Sequence, residues 1–207
     1  LSTYNPSSDN QFSEAPICIE IDAHIGDEEF KKIKSALESA LNDVRACVED
    51  WPLMRNKMQE SIDTLAEQNN SRPSSNVEES IQFLRWLLDN HFTFLGCRDY
   101  TVTGDHQDPE SMHQELIAGT GLGVLRNDEK SKKIRPYNDL TDTARKIALS
   151  TDSTLIISKT NTRSTVHRDA YSDYIGVKLL DEKGNLKFER RFLIRFSLFF
   201  PIFDSIK

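Results

Sequence analysis

Between Tyr174 and Ile194 the residue pattern specifies a β-hairpin. Two β-prone runs, Tyr174–Leu180 and Leu186–Ile194, flank the polar turn Asp181-Glu-Lys-Gly184-Asn185. A tight turn of this kind commits its two strands to antiparallel pairing, and a lone hairpin is at best marginally stable in water. More strands or helices must cover it. Upstream candidates are Thr154–Ser158, the short run Gly121–Arg126 and a strand starting after Asn90, in which Phe92, Phe94 and Tyr100 share a parity with Gly96 and Arg98.

Helical spacing appears on either side of a polar linker, Gln68–Ser75, which contains Pro73. Before it, Ile17, Ile19 and Ile21 alternate as in a strand. Gly26 and Asp27 then open a helix carrying Phe30, Ile33, Leu37, Leu41, Val44 and Val48 to about Glu49. Asp50 and Pro52 predict a second segment bearing Met54, Met58, Ile62 and Leu65, and so a kinked or broken long helix. Burial of the whole stripe in a core is expected, with a seven-residue coiled-coil seam through Phe30, Leu37, Val44, Trp51, Met58 and Leu65 as the alternative. Trp51 and Trp86 are expected as core anchors. After the linker, Asn76 and Glu79 make a capping-box start for a helix burying Val77, Ile81, Leu84, Leu87 and Leu88. A short helix is predicted from Thr141, and the basic run Lys130–Tyr137 is expected as a solvated loop. The order β-α-α, linker, α-β-β-α-β-β-β is that of an α+β fold.

Composition narrows the function classes. Of 207 residues, 37% are hydrophobic and 29% charged, with a formal net charge of −7. That balance suits a soluble globular protein and disfavours nucleic acid or an anionic membrane as main partner, because phosphate binding needs a basic field. The longest apolar run, Phe192–Phe203, contains Arg195 and Pro201 and is too short to span a bilayer. Cys18, Cys47 and Cys97 are odd in number and widely spaced, which fits neither a disulfide framework nor a zinc site, and the cytoplasm is the expected compartment. The chain opens at Leu1 in a polar run to Ser13, and is expected to be a piece of something longer.

Chemistry-bearing residues concentrate after Ile157. Arg163 and Arg168 can grip a carboxylate or phosphate in a forked manner, with Ser164 and Thr165 as neutral donors and His167 beside them. Ion pairing of these arginines with residues such as Asp173 or Glu189 is the competing expectation. Ser164, His167 and Asp169 are the residue types of a hydrolytic relay, but closeness in sequence does not establish relay geometry. Gly119-Thr-Gly121-Leu-Gly123 invites a dinucleotide reading, yet that fingerprint needs a strand before the loop and a helix directly after it. Here an apparent strand follows, so a bend requiring small residues is expected.

Five ordered blocks carry a family resemblance: DVRACVEDWPLM (Asp43–Met54), FLRWLLDNHFTFLGCRDY (Phe83–Tyr100), GLGVLR (Gly121–Arg126), LIISKTNTRSTVHRDAYSDYIGV (Leu155–Val177) and GVKLLDEKGNLKFERRFL (Gly176–Leu193). Together they resemble the regulatory region that precedes the catalytic domain in the large NAD-specific glutamate dehydrogenases of bacteria. The resemblance implies a flexible lead over 1–13, the closing strand and long kinked helix of an ACT-like module over 14–66, a linker over 67–75, a PAS-like antiparallel sheet with flanking helices over 76–200, and a tail over 201–207. It also implies a non-catalytic regulatory or subunit-contact segment holding no cofactor itself, in a parent enzyme that uses NAD. Expected partners are the catalytic domain, neighbouring subunits and an amino-acid or small anionic effector at Arg163, Ser164, Thr165, His167 and Arg168. A free-standing PAS-like sensor acting through dimerisation is the alternative. The resemblance fails after about Leu193, where Ile194–Lys207 turns apolar and is expected to favour self-association.

Overall fold

The computed structural model describes residues 18–20, 26–71, 73–166 and 169–196. The expected strand at Ile17–Ile21 has Ile17 and Ile21 outside that set, and residues 18–20 belong to no regular element. The expected lead over 1–13 and the expected tail over 201–207 also lie outside it.

Two compact units divide at Ser35/Ala36, inside the first helix. In the first unit the start of α1 (Asp27–Ser71) carries Asp27, Glu28 and Glu29 in its opening turn, where the helix dipole favours negative charge. Lys31 pairs with Glu28 at 3.3 Å, and the Gly26 amide donates to the Glu29 carboxylate. Phe30 and Ile33 are exposed.

The second unit contains the rest of α1, then α2 (Ser75–Trp86), a π-helical turn (Leu87–His91), β1 (Phe92–Thr103), β2 (His113–Leu116), β3 (Leu122–Gly123), β4 (Ile134–Pro136), α3 (Asp142–Leu149), β5 (Leu155–Arg163), β6 (Tyr171–Leu180) and β7 (Leu186–Phe196). The strands form one sheet in the order β4-β2-β1-β7-β6-β5, with β3 also paired to β1. Every pairing is antiparallel. The fold is α+β. Asp181 closes the β6–β7 hairpin by accepting hydrogen bonds from the amides of Lys183 and Asn185, as the turn residues require.

One face of the sheet packs on α1 and α2. Met54, Met58, Ile62 and Leu65 of α1 share a core with Ile81 and Leu84 of α2 and with Phe94, Cys97, Ile175, Val177, Phe192 and Ile194 of the sheet. Each fully buried side chain of this kind contributes about 1.5–3 kcal/mol. This face accounts for α1 running unbroken through Pro52, so that the second segment expected from Asp50 and Pro52 belongs to the same helix. Proline removes one backbone donor and strains the preceding turn, at about 3 kcal/mol, and several buried side chains just beyond it offset that cost.

The other corrections have local causes. Leu37, Leu41, Val44 and Val48 are exposed rather than core, because the sheet and loops meet that stretch of α1 through its Asp43 and Cys47 side. Trp51 and Trp86 are each about two-fifths exposed, Trp51 under the Arg55 guanidinium and Trp86 among Phe83, His91 and Phe92. α2 starts at Ser75 rather than at an Asn76 cap, since the Asn76 amide donates instead to the Asp152 carbonyl. The strict parity expected of β1 is broken by a register shift between Phe94 and Gly96. Phe94 and Cys97 therefore both join the helix-side core, whereas Leu95 packs with Cys47 and Val166. The basic run is not simply a solvated loop, for it contains β4 and ends in Tyr137, which is buried. Of the expected strand Gly121–Arg126 only Leu122–Gly123 pairs, and β2 had no sequence signal strong enough to be named.

Candidate functional site

β5 delivers Arg163 to its exposed end and a short loop returns the chain to β6. Ser164 closes that loop on itself: its amide donates to the Ala170 carbonyl at 3.0 Å, and its hydroxyl accepts from the Val166 amide at 3.1 Å. Thr165 anchors the loop by donating to the Asp43 carboxylate of α1 at 2.6 Å, and the Val166 side chain is buried against Cys47 and Leu95. The ion partner of Arg163 is Asp169 at 2.8 Å, not Asp173 or Glu189, and Lys159 takes Asp173 instead. Hydrogen bonding and charge from Asp169 hold the Arg163 guanidinium protonated beyond its ordinary range. His167 and Arg168 lie outside the described residues. The Ser164 and Asp169 side chains are turned to different partners, the first within its own turn and the second to Arg163.

A denser cluster sits on the sheet face opposite α1. Glu189 of β7 is buried and accepts hydrogen bonds from the Tyr174 hydroxyl, the Gln114 amide and, at 2.9 Å, the Arg191 Nε. Gln114 also donates to the Tyr137 hydroxyl at 2.9 Å and accepts from Arg191. The Arg191 guanidinium lies 4.0 Å from the centre of the Tyr100 ring, a cation–π contact in a desolvated setting. Burial, then the Glu189 carboxylate, pushes both Tyr137 and Tyr174 above the ordinary phenol value, so both keep their protons, Tyr174 as the donor to Glu189 and Tyr137 as the acceptor from Gln114. Gly176 completes the arrangement, because a Cβ there would meet the Glu189 carboxylate and the Tyr174 hydroxyl at 3.0 Å. Sequence inspection missed this cluster. The available signal was the consecutive Glu189-Arg190-Arg191 in the middle of a β-prone run, which only makes sense if both faces are partnered.

A cleft of about 630 Å³ opens between the end of α1, the loop Thr151–Thr154 and the β6–β7 turn. Leu65, Val77 and Leu180 supply apolar lining, and Asp152, Glu67 and Gln68 supply polar groups. Lys178 also lines it, with its ammonium donating to the carbonyls of Ile147 and Ser150 and so capping the C-terminal end of α3. Burial lowers the pKa of Lys178. The volume is in the range of small-molecule sites.

The glycine-rich segment serves the backbone. Gly123 has φ +60° and pairs with Gly96 of β1, where any Cβ would lie 2.2 Å from the Leu95 carbonyl. The amide of Gly123 donates to the Asp50 carboxylate of α1, so this loop is tied to the helix. It leads into a strand, not a helix. Among the described residues no group of three or more His, Cys, Asp or Glu is placed to hold a metal, and no helix is long and apolar enough to cross a membrane. Burial pushes the Cys47 thiol up to about 11 and the Cys97 thiol up to about 12, which keeps both in the unreactive protonated form.

No family model matches the chain. It is 31% identical over 189 residues to the NAD-specific glutamate dehydrogenase of Halomonas elongata, and 33% identical over 187 residues to that of Pseudomonas aeruginosa. The chain is similar to one segment of NAD-specific glutamate dehydrogenases. Each match covers 89% of this chain but only 11% of the relative. Agreement at this level over nearly the whole chain concerns an ordered segment of those dehydrogenases, not one short motif.

Proposed function

We propose that this chain is a non-catalytic regulatory and subunit-contact segment of an NAD-dependent glutamate dehydrogenase. The parent enzyme would oxidise L-glutamate to 2-oxoglutarate and ammonia while reducing NAD in the cytoplasm. The observation that carries this proposal is the 89% coverage of the chain against 11% of each relative. It is supported by the use of the described strands and of the glycine-rich segment: the strands pair antiparallel, and Gly123 serves a close backbone approach. A doubly wound dinucleotide fold is built on parallel strands with a glycine turn opening a helix. Residues 14–66 would then end an ACT-like module and residues 76–200 form a PAS-like one. Regulation would work by linkage, an effector or neighbouring subunit favouring one arrangement of the segment and so biasing the catalytic domain.

Two places suit such an effector. An anion at the loop of Arg163, Ser164, Thr165, His167 and Arg168 would compete with Asp169 for the Arg163 guanidinium. The cleft beside Lys178 is large enough for an amino acid, and it is the feature favouring a second reading as a free-standing PAS-like sensor. Thermal unfolding against glutamate, aspartate, arginine, 2-oxoglutarate, NAD and phosphate tests both. A ligand at a hundred times its dissociation constant adds about 2.7 kcal/mol. A midpoint shift abolished by Arg163→Ala assigns the loop, and one that survives it assigns the cleft. Absence of any shift sinks the effector role, and glutamate-dependent NADH production by the purified chain sinks the non-catalytic one.

A further inference from the structure

We propose that the exposed apolar stripe of α1 is a two-fold contact with a second copy of this chain, formed by the two helices packed antiparallel. The inference rests on the subunit-contact function above and specifies its surface and partner. Within the second unit, Leu37, Leu41, Val44, Val48 and Trp51 follow one another at spacings of four and three, and so lie along one side of the helix. All five are 39–69% exposed. In the next two turns of the same helix the apolar spacing continues through Met54 and Met58, and these two side chains, unlike the stripe, are fully buried against the sheet. A shallow groove of about 460 Å³ widens the apolar surface beside the stripe and is lined by Val44, Cys47, Val48, Phe94 and Val166 among others. Single exposed apolar residues are ordinary, whereas a contiguous strip of them marks a contact.

Charge selects the occupant. Glu38 and Arg45 stand on the same flank of the stripe, two turns apart, on either side of Leu41. When a second helix packs antiparallel with Leu41 near the dyad, Glu38 of each copy faces Arg45 of the other, giving two reciprocal ion pairs around an apolar seam. Parallel two-fold packing would instead bring this flank against the one carrying Asp43 and Cys47, which is turned into its own chain. An isologous contact of this kind needs a self-complementary surface, and this flank is one. The opposite flank is turned to the sheet and loops of its own chain, where Asp43 accepts from Thr165 and Cys47 is buried.

Sedimentation equilibrium of the full chain should show a concentration-dependent dimer. Leu41→Glu should weaken it by about tenfold or more while leaving the unfolding midpoint near wild type at concentrations where both proteins are monomeric, since Leu41 contributes little to the monomer core. Glu38→Arg should also weaken it, and Glu38→Arg combined with Arg45→Glu should restore it. In a Cys18→Ser background, Leu41→Cys should cross-link to itself on mild oxidation and Gln59→Cys should not. A monomer at every concentration would overturn the proposal and leave the stripe for another partner. So would a dimer insensitive to both Leu41→Glu and the charge swap. Because effector binding is read from thermal shifts, a monomer that still responds to ligand separates failure of this contact from failure of the regulatory function.

Discussion

Arg190 grips Asp99 through two parallel hydrogen bonds, Nε to Oδ1 at 2.8 Å and Nη2 to Oδ2 at 2.9 Å. The two residues stand directly opposite each other on β7 and β1 and are both buried. Arg190 also donates to the Lys57 carbonyl at 2.9 Å and pairs with Glu60 at 3.2 Å, so the same guanidinium fastens α1 to the centre of the sheet. Removing either partner leaves a buried charge uncompensated, and Arg190→Met or Asp99→Leu should each cost about 3–5 kcal/mol. The double variant Asp99→Leu/Arg190→Met should recover much of that loss in urea unfolding. Equal and additive losses would mean that the pair is not coupled.

The second tie between α1 and the sheet is pH-dependent. Asp50 accepts from the Gly123 amide at 2.8 Å and pairs with Arg126 at 2.8 Å. The hydrogen bond from Arg126 is the main cause holding the Asp50 carboxyl below the usual carboxylate range. A carboxyl whose folded pKa is depressed stabilises the protein above its unfolded value, about 3.9, and loses that contribution as the pH falls through the folded value. Asp50→Asn should therefore cost about 1–3 kcal/mol near neutral pH. The gap between variant and wild type should narrow below about pH 4, and a gap that stays constant into acid would contradict this assignment.

Gly123 and Gly119 separate backbone strain from steric collision. Both have positive φ, +60° and +76°, but a Cβ at Gly123 meets the Leu95 carbonyl at 2.2 Å whereas at Gly119 it meets nothing within 4 Å. Gly119→Ala should cost only the left-handed penalty, about 1–2 kcal/mol. Gly123→Ala must also push β3 away from β1, and its cost should exceed that of Gly119→Ala clearly when the two unfolding midpoints are compared.

The antiparallel hairpin, α3 with its Thr141 cap, and the burial of Met54, Met58, Ile62 and Leu65 were legible because local pattern and tertiary cover agree there. Disagreement arises where a remote partner decides the outcome. Leu41 and Met58 obey the same helical spacing, but the sheet reaches only Met58. Register in β1 changes at Leu95 because β3 approaches it closely, a contact set by Gly123 more than twenty residues away in the sequence. The candidate loop was visible as composition, yet its hydroxyls turned inward to Val166 and Asp43 for reasons no spacing rule encodes. The Glu189 cluster draws on four strands and the turn after β4, so its members are scattered from Tyr100 to Arg191.

Within that cluster Tyr174 supplies an alkaline signature. Its hydroxyl donates to Glu189, and burial, followed by the charge of Glu189, raises its pKa well above the ordinary phenol value. An acid whose folded pKa is raised contributes stability that is complete below the unfolded value, about 10 for tyrosine, and is lost as the pH rises through the folded value. Tyr174→Phe removes a donor from a buried carboxylate and should cost about 1–3 kcal/mol at neutral pH. Above about pH 10 the wild type should lose stability faster than the variant, because only the wild-type unfolded chain gains by ionising this phenol. Urea unfolding at neutral pH and again above the tyrosine range measures both stabilities directly. If the two proteins run parallel across that interval, Tyr174 ionises freely in the folded state and the hydrogen bond to Glu189 is not maintained in solution.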